Sequence, residues 1–208
     1  IYNCLYYHEN LSLLSGRNGD NAIFSKRINL VDTILSAIVN LESEYDYIIL
    51  DSPAGIDNNS LSLNAYSDYR FVVINPDKFS ITDSYSLMKI LNKNYGVNHN
   101  FVIGNKINRP VEFNSIVKSI GETASRFLNC RVEFLGKVSE FKNPTSNYLN
   151  KSLREEYSSS YQEIIKVCEI FFEKMIDCPF EKIGDIEKKQ DVFFDQLRSN
   201  KCHLSPNV

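Results

Sequence analysis

The sequence predicts an α/β chain: a doubly wound, mostly parallel sheet with helices on both faces. Two observations carry this. Short, continuously apolar runs recur at Tyr47-Ile48-Ile49-Leu50, Phe71-Val72-Val73-Ile74 and Phe101-Val102-Ile103, as expected of strands covered on both sides. Between the runs lie stretches with apolar residues at helical spacing. Alternation of the two patterns means parallel strands joined by right-handed crossovers.

The elements follow in order. Ile1 to Tyr7 reads as a strand, and Leu11–Leu14 as a second, ended by the turn residues Ser15-Gly16-Arg17-Asn18-Gly19. From Ile28 to Leu41, the residues Ile28, Val31, Ile34, Leu35, Ile38 and Val39 share one face of a helix. A strand is expected over 46–51 and another over 71–75. A helix follows over 81–95, with Ile81, Tyr85, Met88 and Leu91 inward. Further strands are expected over 101–105 and 132–138, with a helix over 111–128 between them and a long helix over 155–175. Residues 1–176 would form one domain and 177–208 a tail.

Composition narrows the class. The 208 residues are 43% hydrophobic and 24% charged, the balance of a folded globular chain rather than a disordered or fibrous one. The 23 Lys and Arg against 26 Asp and Glu leave a net charge of −3, which argues against holding nucleic acid by an overall field. No apolar run approaches the roughly 20 residues that span a bilayer. The five cysteines, Cys4, Cys130, Cys168, Cys178 and Cys202, form no C-x-x-C and no zinc spacing with histidine. Reduced cysteines point to the cytosol.

In doubly wound sheets ligands bind beyond the carboxyl ends of the strands. The segments after each strand are therefore the ones to inspect: 51–57, 75–83, 105–108 and 139–143. Asp51, at the tip of its strand in Asp51-Ser52-Pro53-Ala54-Gly55-Ile56-Asp57, can hold a magnesium-bound water or orient an attacking water beside a phosphate. Ala54 and Gly55 lack bulk, so their backbone N–H groups can approach a terminal phosphate. The plainer reading of the same residues is a helix cap and a proline turn. Ser80-Ile81-Thr82-Asp83 fits a capping box, in which Asp83 serves only the helix end. At Gly104-Asn105-Lys106, the Asn amide can bond a purine edge and the Lys stem can lie on the base.

Taken in this order after successive strands, the three sets resemble the MinD/ParA family of deviant Walker ATPases, over roughly residues 11 to 176. "YDYIILDSPAGID" resembles the family's Walker B strand and switch II loop. "VVINPDKFSITDSYSLMKIL" is similar to the strand and helix that follow, and "TDSYSLMK" leans toward the FlhG (FleN, YlxH) flagellar-number branch. "FVIGNKIN" resembles the base-recognition strand, and "ASRFLNCRVEFLGKVSE" a stretch of that branch. The resemblance implies a P-loop NTPase fold of the SIMIBI/MinD-like type, lacking the first strand–helix units and so N-terminally truncated. It implies ATP and Mg2+ as cofactors, an ATP-dependent homodimer, the SRP-type GTPase FlhF and flagellar basal-body proteins as partners, and peripheral association with the inner face of the cell membrane. By position, Asp51 would orient water or magnesium, Ala54 and Gly55 would meet the γ-phosphate, Asp83 would face the partner subunit, and Asn105 with Lys106 would read adenine.

Departures from the family pattern are equally plain. No G-x-x-x-x-G-K-[ST] occurs, and Gly136-Lys137 is followed by Val138, with Arg131 where the first glycine would stand. Without a glycine loop and its lysine, Asp51 faces an anion as a repelling charge, so this stretch completes a nucleotide site rather than holding ATP alone. Val138-Ser139-Glu140 stands where the family has a Pro-acidic pair. In the tail, 180–198 carries four Lys and Arg against five Asp and Glu, so a packed helix is expected there rather than a membrane anchor. Two rival readings remain. One is a scaffold of this fold that binds a partner without hydrolysis. The other is a ParA-type DNA-partition ATPase, suggested by nine Lys and Arg against four Glu over 104–154.

Overall fold

The computed structural model describes residues 5–8, 10–14, 30–128, 130–140 and 159–177. These fall into two compact units, Ile1–Leu63 and Asn64–Val208.

In the first unit, β1 (Leu5–His8) and β2 (Leu11–Leu14) pair antiparallel, with Leu5 opposite Leu14 and His8 opposite Leu11. The Tyr45 hydroxyl donates to Ser12 Oγ at 2.9 Å and holds the segment after the first helix to β2. That helix, α1 (Leu30–Leu41), buries Val31, Leu35, Ile38 and Leu41. Their spacing of three and four residues is the expected stripe.

Residues 47–50 depart from expectation. The sequence suggests a strand buried on both faces, but no strand forms there, and Tyr47 is 63% and Ile49 88% exposed. The run has the β-branched, apolar composition of a strand, yet composition forms no ladder: strands are fixed by a hydrogen-bonded neighbour and a face to bury. Among the described residues no strand pairs with it.

A helix that the sequence hid follows. α2 (Asn58–Tyr66, NNSLSLNAY) crosses the border between the units and has no apolar periodicity. Its signal is the cap. One Asp57 carboxylate oxygen accepts from the Asn59 and Ser60 N–H groups at 3.0 and 3.2 Å, and the other from the Ser60 hydroxyl at 2.5 Å.

The second unit is built on a parallel sheet in the order β3 (Phe71–Ile74), β4 (His99–Asn105), β5 (Arg131–Val138). Its helices are α3 (Lys78–Tyr95), α4 (Pro110–Phe127) and α5 (Ser159–Asp177). Side chains alternate across the sheet with period two. Val72, Ile74 and Val102 join Met88 of α3 and Ile116 and Ile120 of α4 in one buried cluster. On the other face, Phe101 and Leu135 pack with Val167 of α5, and Phe171 meets Phe101 and Phe71 edge to face at 5.2 and 4.8 Å. Helices thus cover both faces, as a doubly wound sheet requires. β5 carries a bulge. The register with β4 slips between Val102 and Ile103, so Leu135 is the extra residue, and Gly136 adopts φ +146°. The chain beyond 177, where a packed terminal helix is expected, lies outside the described residues.

Candidate functional site

The carboxyl ends of β3, β4 and β5 lie side by side because the strands are parallel. What each presents there follows from the packing beneath it. α4 approaches β4 closely at Gly104, where a Cβ would stand 2.7 Å from Phe113 Cδ2. Only glycine fits without moving the ring. Two residues on, Lys106 adopts φ +57°, a left-handed conformation unusual for a lysine. The turn sends Ile107 into the core, fully buried, while Lys106 is left exposed and Asn105 half-buried at the strand tip.

This turn is tied on two sides. The Ile107 N–H donates to the Val138 carbonyl at 3.0 Å, and Asn108 Nδ2 donates to Glu140 Oε2 at 3.2 Å, joining the ends of β4 and β5. Glu112 Oε2 accepts from the Arg109 and Asn108 N–H groups, each at 3.0 Å, and Oε1 from Arg109 Nε at 2.9 Å; the Arg109 bonds foremost hold its carboxyl below the ordinary range. From α5, Glu163 accepts from the Ser139 N–H at 2.7 Å, from the Ser139 hydroxyl at 2.8 Å and from Lys137 at 3.3 Å. Burial pushes the Glu163 carboxyl up, but these donors outweigh it and leave it lowered. Ser139-Glu140, where the sequence lacks a Pro-acidic pair, is therefore a fixed segment.

At the tip of β3, Asn75 is fixed as well. Its N–H donates to Ser80 Oγ at 3.0 Å, and the Ser80 N–H donates to Asp77 Oδ1 at 2.9 Å. Asp77 is the N-cap of α3. The capping-box reading of Asp83 is thereby corrected. α3 starts at Lys78, three residues earlier than the periodicity suggests, so Asp83 lies beyond the first turn, exposed and apart from the helix-end amides. Across the strands, Asn105 Nδ2 donates to Asn75 Oδ1 at 3.1 Å. Sequence reading singled out Asn105 but gave Asn75 no role. Its only signal was its place just past a strand.

The expected site residues therefore divide between the units. Asn105, Lys106 and Asp83 belong to the second, with Asn105 and Lys106 on the strand-end turn and Asp83 on α3. Asp51, Ala54 and Gly55 belong to the first, all exposed, and Gly55 has φ +132°, a value that favours glycine. Among the described residues, no group of three or more His, Cys, Asp and Glu could hold a metal ion by itself. Magnesium beside a phosphate needs only one or two protein carboxylates, since phosphate oxygens and water complete its shell. A lone Asp51 is compatible with that chemistry.

The sheet's opposite end is polar but built differently. An open pocket of about 510 Å³ there is lined by Asn98, His99, Ser125, Leu128, Cys130 and Arg131. Burial, then the Arg131 charge, lowers the His99 pKa, and burial raises that of the Cys130 thiol. Arg131 and Lys174 both pair with Glu133. None of the sequence-predicted residues lies in this pocket.

The chain is 25% identical over 105 residues to the antiactivator FleN of Pseudomonas aeruginosa, covering 50% of this chain and 38% of FleN. It is 29% identical over 114 residues to the flagellum site-determining protein YlxH of Helicobacter pylori, covering 54% of this chain and 36% of YlxH. The septum site-determining protein MinD of the same organism is 33% identical over 85 residues, covering 40% of this chain and 30% of MinD. These relatives support the MinD/ParA type for this chain. Within that type, FleN and YlxH support the flagellar (FlhG) branch, toward which "TDSYSLMK" leans. The matches span less than two-fifths of the length of these relatives. No model of a known protein family matches the chain. No described helix is long and apolar enough to cross a membrane.

Proposed function

We propose that this chain supplies the base-reading and water-orienting parts of an ATP site in a MinD-like switch that regulates flagellar number or placement. The observation that carries the reading is the Asn105 amide. It stands at the carboxyl end of a parallel strand, held on one side by Asn75, with its Oδ1 bonded to no protein group among the described residues. An amide so placed suits a purine edge. The relatives named for flagellum siting and antiactivation support the biological side of the proposal.

In this reading Asn105 bonds adenine and the Lys106 stem lies over the ring. Ala54 and Gly55 offer backbone N–H groups to the γ-phosphate. Asp51 orients water or a magnesium-bound water, Mg2+ supplying charge neutralisation at the phosphates. Asp83 faces the partner subunit of an ATP-dependent homodimer. The resting and active forms are the monomer and this dimer, read out by an SRP-type GTPase and by basal-body proteins, at the membrane's inner face.

Binding and turnover test this reading. The 208 residues contain no glycine–lysine phosphate loop, so the chain itself should bind MgATP only in the millimolar range and should not hydrolyse it. The charge-assisted bonds of such a loop, about 1.5–3 kcal/mol each, account for most of the roughly 8 kcal/mol of a micromolar site. In a calorimetric titration, Asn105→Ala should abolish the residual binding, while Asp51→Ala should leave it unchanged. Binding indifferent to Asn105→Ala would overturn the base-reading role. Micromolar affinity would show that other groups of this chain hold the phosphates.

A further inference from the structure

The Asn75–Asn105 pair has a consequence for which base the site accepts. A free asparagine amide turns over easily and shows a purine either its acceptor or its donor edge. Asn105 is not free to do so. With Nδ2 committed to Asn75 Oδ1 at 3.1 Å, its Oδ1 and its second Nδ2 hydrogen face outward in a fixed order. The Asn75 backbone is held in turn, because its N–H donates to Ser80 Oγ and the Ser80 N–H donates to the cap of α3, Asp77. Four residues thus form one chain of bonds from the start of α3 to the tip of β4.

We propose that Asn75 is a positioning residue that sets the base specificity of this site, by fixing the Asn105 amide so that it accepts from a 6-amino purine and rejects a 6-oxo purine. This rests on the reading of Asn105 as the base-contacting residue. Adenine offers an amino donor at C6 and an acceptor at N7, the pattern that an asparagine amide meets with two bonds. A 6-oxo purine offers acceptors at both places. Its O6 would then face Asn105 Oδ1, lone pair against lone pair. Turning the amide to suit it would set Asn105 Oδ1 against Asn75 Oδ1 unless Asn75 turned as well. A mismatch of this kind, leaving buried polar groups unpaired, costs on the order of tenfold or more in affinity.

Adenosine and inosine separate the idea cleanly, since they differ at C6 and carry no phosphate. Each is titrated into the 15N-labelled chain while the side-chain amide signals of Asn75 and Asn105 are followed by NMR. In the unmodified chain, adenosine should shift the Asn105 amide at a concentration at least about tenfold lower than inosine does. Asn75→Asp keeps an acceptor that cannot donate and should preserve that ratio. Asn75→Ala releases the amide and should bring the ratio to within about twofold, with both nucleosides still shifting Asn105. An unchanged ratio in Asn75→Ala, or a lost ratio in Asn75→Asp, overturns the role of Asn75 and leaves the base-reading role of Asn105 standing. A failure of both nucleosides to move the Asn105 amide overturns the two together. Should Asn75→Ala not fold, the Asp variant still decides. The free chain then offers a second reading, since a hydrogen bond to Asn75 Oδ1 slows exchange of the Asn105 Nδ2 protons with water, and exchange as fast as that of an exposed asparagine amide refutes the fixed amide.

Discussion

Two apolar tetrads, Tyr47-Ile48-Ile49-Leu50 and Phe71-Val72-Val73-Ile74, look alike in sequence and end differently. The second is β3, in register with Phe101–Gly104, and its alternate residues Val72 and Ile74 are buried. The first is no strand at all, and Ile49 is 88% exposed. β-branched and aromatic residues tolerate the extended backbone in both. What separates the two is the neighbour. β3 has a ladder partner on one edge and Met88 against one face, while 47–50 has no strand partner among the described residues. Strand formation is thus a property of the pair rather than of the segment.

Substitutions can break or sharpen this contrast. Ile74→Ala should have the largest effect. It removes a side chain with no exposure from the main cluster, and urea unfolding should show a loss of about 2–5 kcal/mol. A loss under about 1 kcal/mol would mean that β3 is held no better than 47–50. Gly104→Ala comes next, since the new methyl meets Phe113 Cδ2 at 2.7 Å. About 1–3 kcal/mol should be lost, together with a shifted Phe113 ring signal by NMR.

Glu163→Gln should cost less, about 0.5–1.5 kcal/mol at neutral pH, because the amide keeps an acceptor for Ser139 but loses the charge facing Lys137. Its pH dependence has a definite sign. The folded-state pKa of Glu163 lies below the ordinary value of 4.5, so the unfolded chain binds more protons over that interval. The contribution is fully present above 4.5 and is lost as pH falls through the folded value. Glu133 is lowered in the same way, where Lys174 and Arg131 outweigh the opposing effect of burial. Acid titration of stability should therefore be shallower in Glu163→Gln than in the parent. Equal slopes would show that the Glu163 bonds do not form in solution. Ile49→Ala should have the smallest effect, within about 0.5 kcal/mol in the same urea experiment, because an exposed side chain leaves no cavity. A loss near that of Ile74→Ala would show that residues 47–50 are packed in solution.

The sequence alone determined the parallel α/β class, β3 to β5, and the helices α1, α3, α4 and α5 to within a few residues. It could do so because each carries its own period, as with Met88 and Leu91 in α3 or Ile116 and Ile120 in α4, and burial follows period. It also placed Asn105 and Lys106 at a strand end, where the structure has them, since the apolar run before them marks where that strand stops. Only the tertiary structure decided the rest. α2 depends on the Asp57 carboxylate reaching the Asn59 and Ser60 N–H groups, a cap without an apolar stripe behind it. The role of Asp77 rather than Asp83 depends on where α3 begins, which periodicity leaves open by a turn. The pairing of Asn75 with Asn105 joins residues thirty apart, brought together only because β3 and β4 run parallel in one register. Periodicity is local and survives in the sequence. A hydrogen bond between two strand ends depends on how the strands are aligned, and that is fixed when the sheet assembles.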